Sequence, residues 1–168
     1  VYGGDTSGTG AEEGGAITGT LTATDVEGLS GNYFSITTPA SGGTASIPDT
    51  STGAWTYTPN ADFSGSDSFT VTTTDDEGGT STQVISLTVN AVDDEAVYGG
   101  DTSGTGAEEG GAITGTLTAT DADGLSGNYF SITTPASSGT ASIPDTSTGA
   151  WTYTPNADFY GSDSFTVT

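Results

Sequence analysis

The sequence predicts an all-β protein built as two tandem seven-strand sandwiches, the second lacking its last strand. Three observations predict it. Residues 1–72 recur as 97–168 at an offset of 96, with four differences: Val26/Ala122, Glu27/Asp123, Gly42/Ser138 and Ser64/Tyr160. Apolar residues within the unit recur with a period of two, as on a pleated strand with one buried face. Gly, Pro, Asn and Asp punctuate each run where turns are needed.

The elements follow in order. An extended, Gly- and Thr-rich piece covers 1–11. Over 16–24, Ile17, Gly19, Leu21 and Ala23 alternate with threonines. Over 32–38, Phe34 and Ile36 alternate with Ser35 and Thr37. The strand over 43–48 carries Ala45 and Ile47, and that over 53–58 carries Trp55 and Tyr57. Between them Asp49 reads as a turn residue. Phe69 and Val71 mark the strand over 67–74; Ile85, Leu87 and Val89 mark the one over 81–91. Thr and Val suit half-buried pleated surfaces, and no segment has helical periodicity. Seven short strands in about 96 residues suggest an immunoglobulin-like sandwich. Domain boundaries are expected at 1–96 and 97–168, and the whole reads as a segment of a longer tandem array. A repeat of 96 is far longer than a solenoid coil, so a flat threonine array is set aside. Trp55, Tyr57 and Phe63 are expected in the core, not on a sugar-stacking platform.

Charge is the second theme. The chain has 22 Asp and Glu and no Lys, Arg or His, for a net charge of −22. A hydrophobic content of 31% with that charge would suit a disordered chain, but the strict alternation argues for a core. Crowded like charges oppose compactness, and no cationic side chain offsets them. Either concentrated salt screens them, or bound divalent cations neutralise them. A polyanion is a poor partner for nucleic acid or anionic lipid, and no apolar run is long enough to insert in a membrane. Without His, Cys, Lys or Arg there is no base-activated nucleophile or phosphate clamp, so no enzyme is expected. Cys is absent, which excludes disulfide and thiol chemistry.

Loops of such a sandwich alternate between its two ends. One end collects Glu12 and Glu13, Asp62, and Asp93, Asp94 and Glu95 beyond the last strand. Asp67 either joins them or braces the start of its strand. The other end of the next copy offers Asp121 and Asp123. These acids are expected to meet where the copies adjoin. Asp75, Asp76 and Glu77, beside Asp25 and Glu27, offer a second site at the far end of the first copy. Hard cations take roughly six to eight oxygens at about 2.3–2.6 Å. The absence of His and Cys disfavours zinc and copper, so Ca²⁺ is the ion this donor set suits.

Four stretches carry a family resemblance: Asp121-Ala122-Asp123-Gly124, the Gly-Ala-Trp-Thr-Tyr-Thr-Pro-Asn run at 53–60, the segment from Asp62 to Phe69, and Thr-Val-Asn-Ala-Val-Asp-Asp at 88–94. Together they resemble the cadherin-like repeats of giant bacterial surface proteins, of the VCBS or RTX-adhesin extender type. The resemblance implies calcium between domains, held by Glu12, Glu13, Asp62, Asn90, Asp93, Asp94, Asp121 and Asp123. It implies an extracellular or cell-surface spacer, rigidified by calcium, that holds a distal binding domain away from the cell. Its partners are then the neighbouring repeats of the same chain. The alternative is a subunit of an extracellular filament or sheath, in which identical chains complement the open edge left beside 163–168.

Overall fold

The computed structural model describes residues 1–29 and 31–168, all strand, turn or loop. They divide into two compact units, Val1–Asp93 and Asp94–Thr168.

The first unit has eight strands: β1 (Tyr2–Gly4), β2 (Ser7–Ala11), β3 (Ile17–Ala23), β4 (Phe34–Thr38), β5 (Gly43–Ser46), β6 (Ala54–Pro59), β7 (Gly65–Thr74) and β8 (Thr80–Asn90). They form two four-stranded sheets, ordered β1-β3-β6-β5 and β2-β8-β7-β4. Six strands lie within two residues of the ranges expected from alternation. Ile17, Leu21, Trp55 and Tyr57 from the first sheet pack with Phe34, Phe69, Val71, Ile85, Leu87 and Val89 from the second into one core. Trp55 and Phe69 meet edge-on at 5.7 Å, a favoured aromatic geometry.

The expected single strand over 1–11 is instead two strands in different sheets. β1 pairs antiparallel with β3, whereas β2 runs parallel to β8 from Ser7↔Ser86 to Ala11↔Asn90. The crossover is held at Asp5. Its backbone N–H donates to Thr20 O (2.8 Å), its carboxylate accepts from Thr20 N (2.9 Å), and its carbonyl accepts from Trp55 Nε1 (3.0 Å). Gly8 lets β2 lie against the core, because a Cβ there would meet Ile17 Cγ2 at 2.6 Å and Trp55 Cη2 at 2.9 Å.

The second unit repeats the first sheet faithfully. β9 (Val97–Gly100), β10 (Ile113–Thr120), β12 (Gly139–Ser142) and β13 (Ala150–Pro155) are ordered β12-β13-β10-β9. The pair Ile113↔Tyr153 matches Ile17↔Tyr57. The second sheet is reduced to β11 (Ile132–Thr134) against β14 (Thr166–Val167). Residues 103–107 have the sequence of β2 yet form no strand. Ser138 replaces Gly42, where a Cβ would overlap the ring of Phe63. Phe63 packs on its core, whereas the equivalent Phe159 is not among the residues packed against the second core.

Candidate functional site

The expected ligands fall at strand ends. Glu12 follows β2 and is the one buried acid among the described residues. Its N–H donates to Asn90 O (3.1 Å), and its Oε1 accepts from Val92 N (2.6 Å). The parallel pairing of β2 with β8 places Glu12 there, because both strands finish at the same end. Glu13 is exposed in the turn that follows. Asp62 is exposed in the turn after β6 with φ 57°, a left-handed conformation uncommon outside glycine. Asp93 is exposed.

In the second unit, Asp94 N donates to Asp123 Oδ2 (2.9 Å), and Asp123 N donates to Asp121 Oδ1 (2.9 Å). These three acids are thus joined through backbone N–H groups. The equivalent turn in the first unit is built alike, with Glu27 N donating to Asp25 Oδ1 (3.0 Å). Asp75 closes the β7–β8 loop by accepting from Glu77 N (3.1 Å) and Gly79 N (2.6 Å). Asp76 and Glu77 are exposed in that loop.

Asp25 and Asp75, distant in sequence, line one small cavity of about 30 Å³ with Tyr2, Leu29 and Thr73. Glu27, Asp76 and Glu77 are not among its lining residues. Thr73 is buried, and its Oγ1 has no hydrogen-bond partner. Buried polar groups are rarely left unpaired, and this hydroxyl is an exception among the described residues. Two carboxylates and an orphaned hydroxyl are a hard-oxygen donor set and fit calcium in kind. Among the described residues, however, no three acids gather closely enough to hold a metal ion.

Asp67 is a brace. One oxygen accepts from Ser41 N, Ser41 Oγ and Ser68 N (3.1, 3.1 and 2.8 Å). The other accepts from Gly42 N and Tyr57 OH (2.8 and 2.9 Å). Burial pushes its carboxyl up, but the N–H groups of Ser41, Ser68 and Gly42 and the Tyr57 hydroxyl outweigh that and hold it below the usual carboxylate value. Burial, then the hydrogen bond to Asp67 and its charge, push the Tyr57 phenol well up. Asp163 repeats the arrangement, with Ser138 N nearest at 2.7 Å and the leading cause of its lowered pKa. Asp49 likewise bonds within its turn, to Ser51 N and Oγ (2.9 and 2.6 Å). The Ser51 hydroxyl and then its N–H lower the Asp49 pKa.

Residues 1–91 match the family described as bacterial cadherin-like domain. The chain belongs to that family. Residues 93–168 match the bacterial Ig domain, so two near-identical units of this cadherin-like chain meet two descriptions of one sandwich. No curated protein matches the sequence. Among solved structures, the chain resembles protocadherin gamma B2 extracellular cadherin domains 3–6, at 12% identity and TM-score 0.48 over 89% of this chain and 36% of that one. The protocadherin gammaB7 EC3–6 cis-dimer matches at 10% identity and TM-score 0.49, over 100% and 46%. Surface layer protein SbsC, domains 4–9, matches at 19% and 0.36, over 99% and 28%. The cadherin-like chain therefore spans less than half the length of each of these.

Proposed function

We propose that this chain is a calcium-stiffened spacer outside a bacterial cell, holding a distal binding domain away from the surface. The observation that carries the proposal is the cavity shared by Asp25, Asp75 and the unpartnered Thr73 Oγ1. Membership of the bacterial cadherin-like domains supports it, as does a net charge of −22 with no cationic side chain. Glu12 ties the end of β2 to the stretch leaving β8, the stretch that contains Asn90 and Asp93. Across the Asp93–Asp94 step, Asp94 is tied to Asp123. Ligands from both sides of that step, Glu12, Glu13, Asp62, Asn90 and Asp93 with Asp94, Asp121 and Asp123, would link successive repeats. Asp25, Glu27, Asp75, Asp76 and Glu77 would serve the other end of a repeat. Bound calcium supplies the positive charge that these acids lack. A repeated acidic end suits a repeated mechanical task, and we read the module as structural and not enzymatic.

Extracellular modules bind calcium at about 10⁻⁴–10⁻³ M. At 10 mM, one such site stabilises the folded unit by about 1.4–2.7 kcal/mol. The test compares melting and the scattering-derived length in calcium, in chelator and in added sodium chloride. The expected result is a higher Tm and a longer, stiffer particle in calcium alone, with Asp75→Asn removing part of the gain. Equal melting and length in calcium and chelator would sink the spacer; equal rescue by sodium chloride would leave only charge screening.

A further inference from the structure

We infer that the step from Asp123 to Gly124 is a covalent modification site, where the backbone isomerises without an enzyme, through a cyclic imide, to a β-linked aspartate. The inference goes beyond the calcium reading and does not depend on it. Asp123-Gly124 is the one Asp-Gly pair in the sequence, and no Asn-Gly pair occurs. It arises from a difference between the copies, since the first has Glu27-Gly28 at the same turn. The chemistry separates the two. When the next residue's backbone nitrogen adds to the side-chain carboxyl carbon, aspartate closes a five-membered ring. Glutamate must close a six-membered ring and freeze one more torsion, which costs entropy.

The turn leaves this reaction open. Asp123 and Gly124 are exposed and lie between β10 and β11, outside any strand. Gly124 N donates to Asp121 O at 3.2 Å, the long end of the range for such bonds. Gly124 has φ 90°, which glycine adopts without strain, and a Cβ there would meet nothing within 4 Å. No side chain therefore screens its nitrogen. The electrophile is held in place and polarised. Asp123 N donates to Asp121 Oδ1 (2.9 Å), and Asp94 N donates to Asp123 Oδ2 (2.9 Å). The second donor stabilises the oxygen on which negative charge builds as the nitrogen adds.

The atoms balance as an isomerisation. A bond forms between Gly124 N and Asp123 Cγ, and Asp123 Oδ1 leaves as water with the amide proton and one proton from solvent. Water then adds to the former backbone carbonyl carbon of Asp123, whose bond to Gly124 N breaks, and the new carboxyl releases a proton. The chain now runs through Cβ and Cγ, one carbon longer at this step, with the carboxylate directly on Cα. Asp94 N loses the acceptor it had at Oδ2.

The test incubates the folded chain for weeks at neutral pH and body temperature in heavy-oxygen water. β-Linked aspartate is mapped by electron-transfer fragmentation and by methylation with an L-isoaspartyl methyltransferase; the urea-unfolded chain is the positive control. We expect β-linkage to accumulate at Asp123 before any other aspartate, with one heavy oxygen per event and faster exchange of the Asp94 amide in modified chains. Asp123→Glu, which reproduces the turn of the first unit, should lose the signal. No β-linkage at Asp123 in the folded chain, equal yields at other aspartates, or an undiminished signal in Asp123→Glu would each overturn the inference.

Discussion

The two units share all but four of 72 residues, yet one has a complete second sheet and the other a two-stranded remnant. The sheet that differs is the one that contains β8. Ser7–Ala11 is a strand beside it, whereas the same five residues at 103–107 are not. β7 runs for ten residues, and β14 for two. The unaffected sheet keeps its strand order and register. Exposure of the shared core changes in step: Tyr57 is 0% exposed and Tyr153 8%, Leu21 1% and Leu117 8%. The lesson is that a strand here is a property of a pair. Thr- and Gly-rich segments have too little intrinsic preference to hold an extended form without a partner.

Four changes test whether the partner strand accounts for the difference between the units. Appending a copy of residues 73–96 after Thr168 should have the largest effect, about 5 kcal/mol on the second unit, from covering three aliphatic side chains at roughly 1.5–3 kcal/mol each. Denaturant melts should then show the two units unfolding together. Leu87→Ala should cost the first unit about 2–5 kcal/mol and leave the second unchanged, which tryptophan fluorescence with Trp151→Phe would resolve. Asp67→Asn should cost about 2 kcal/mol through its strong backbone bonds, and should release the segment at Ser41 and Gly42 to amide exchange. Because the folded Asp67 pKa lies below its ordinary value of about 3.9, its contribution is complete above that value. It disappears as pH falls through the lowered pKa, so an acid titration of wild type should approach the Asp67→Asn curve. The smallest contrast is Gly8→Ala against Gly104→Ala. The first adds a Cβ between Ile17 and Trp55 on a paired strand and should cost about 1–3 kcal/mol. The second adds it to an unpaired segment that can move aside and should cost less.

Much of the fold was legible because the core residues announce their face by alternation. Ile17 to Ala23, Phe69 to Thr73 and Ile85 to Val89 needed no distant information. The division of 1–11 into β1 and β2 was not legible, since Asp5 takes its partners from Thr20 and Trp55. Nor can any local reading tell 103–107 from 7–11, which have one sequence and two outcomes. Of the site, the meeting of Glu12 with the stretch beyond β8 follows from sandwich topology. The joining of Asp25 with Asp75 in one cavity follows from both loops sharing an end. Thr73 continues the parity of the buried Phe69 and Val71, but nothing local in the sequence shows that its hydroxyl lies buried without a partner. For Asp67 the sequence leaves junction acid and brace both open, because the donors that decide for the brace, Ser41, Gly42 and Tyr57, arrive from other loops and strands.

The parallel run of β2 beside β8 has a mechanical meaning. Because β2 and β8 point the same way, tension along the polypeptide pulls them past each other lengthwise. The five rungs from Ser7↔Ser86 to Ala11↔Asn90 are then loaded together, in shear, and do not peel one at a time.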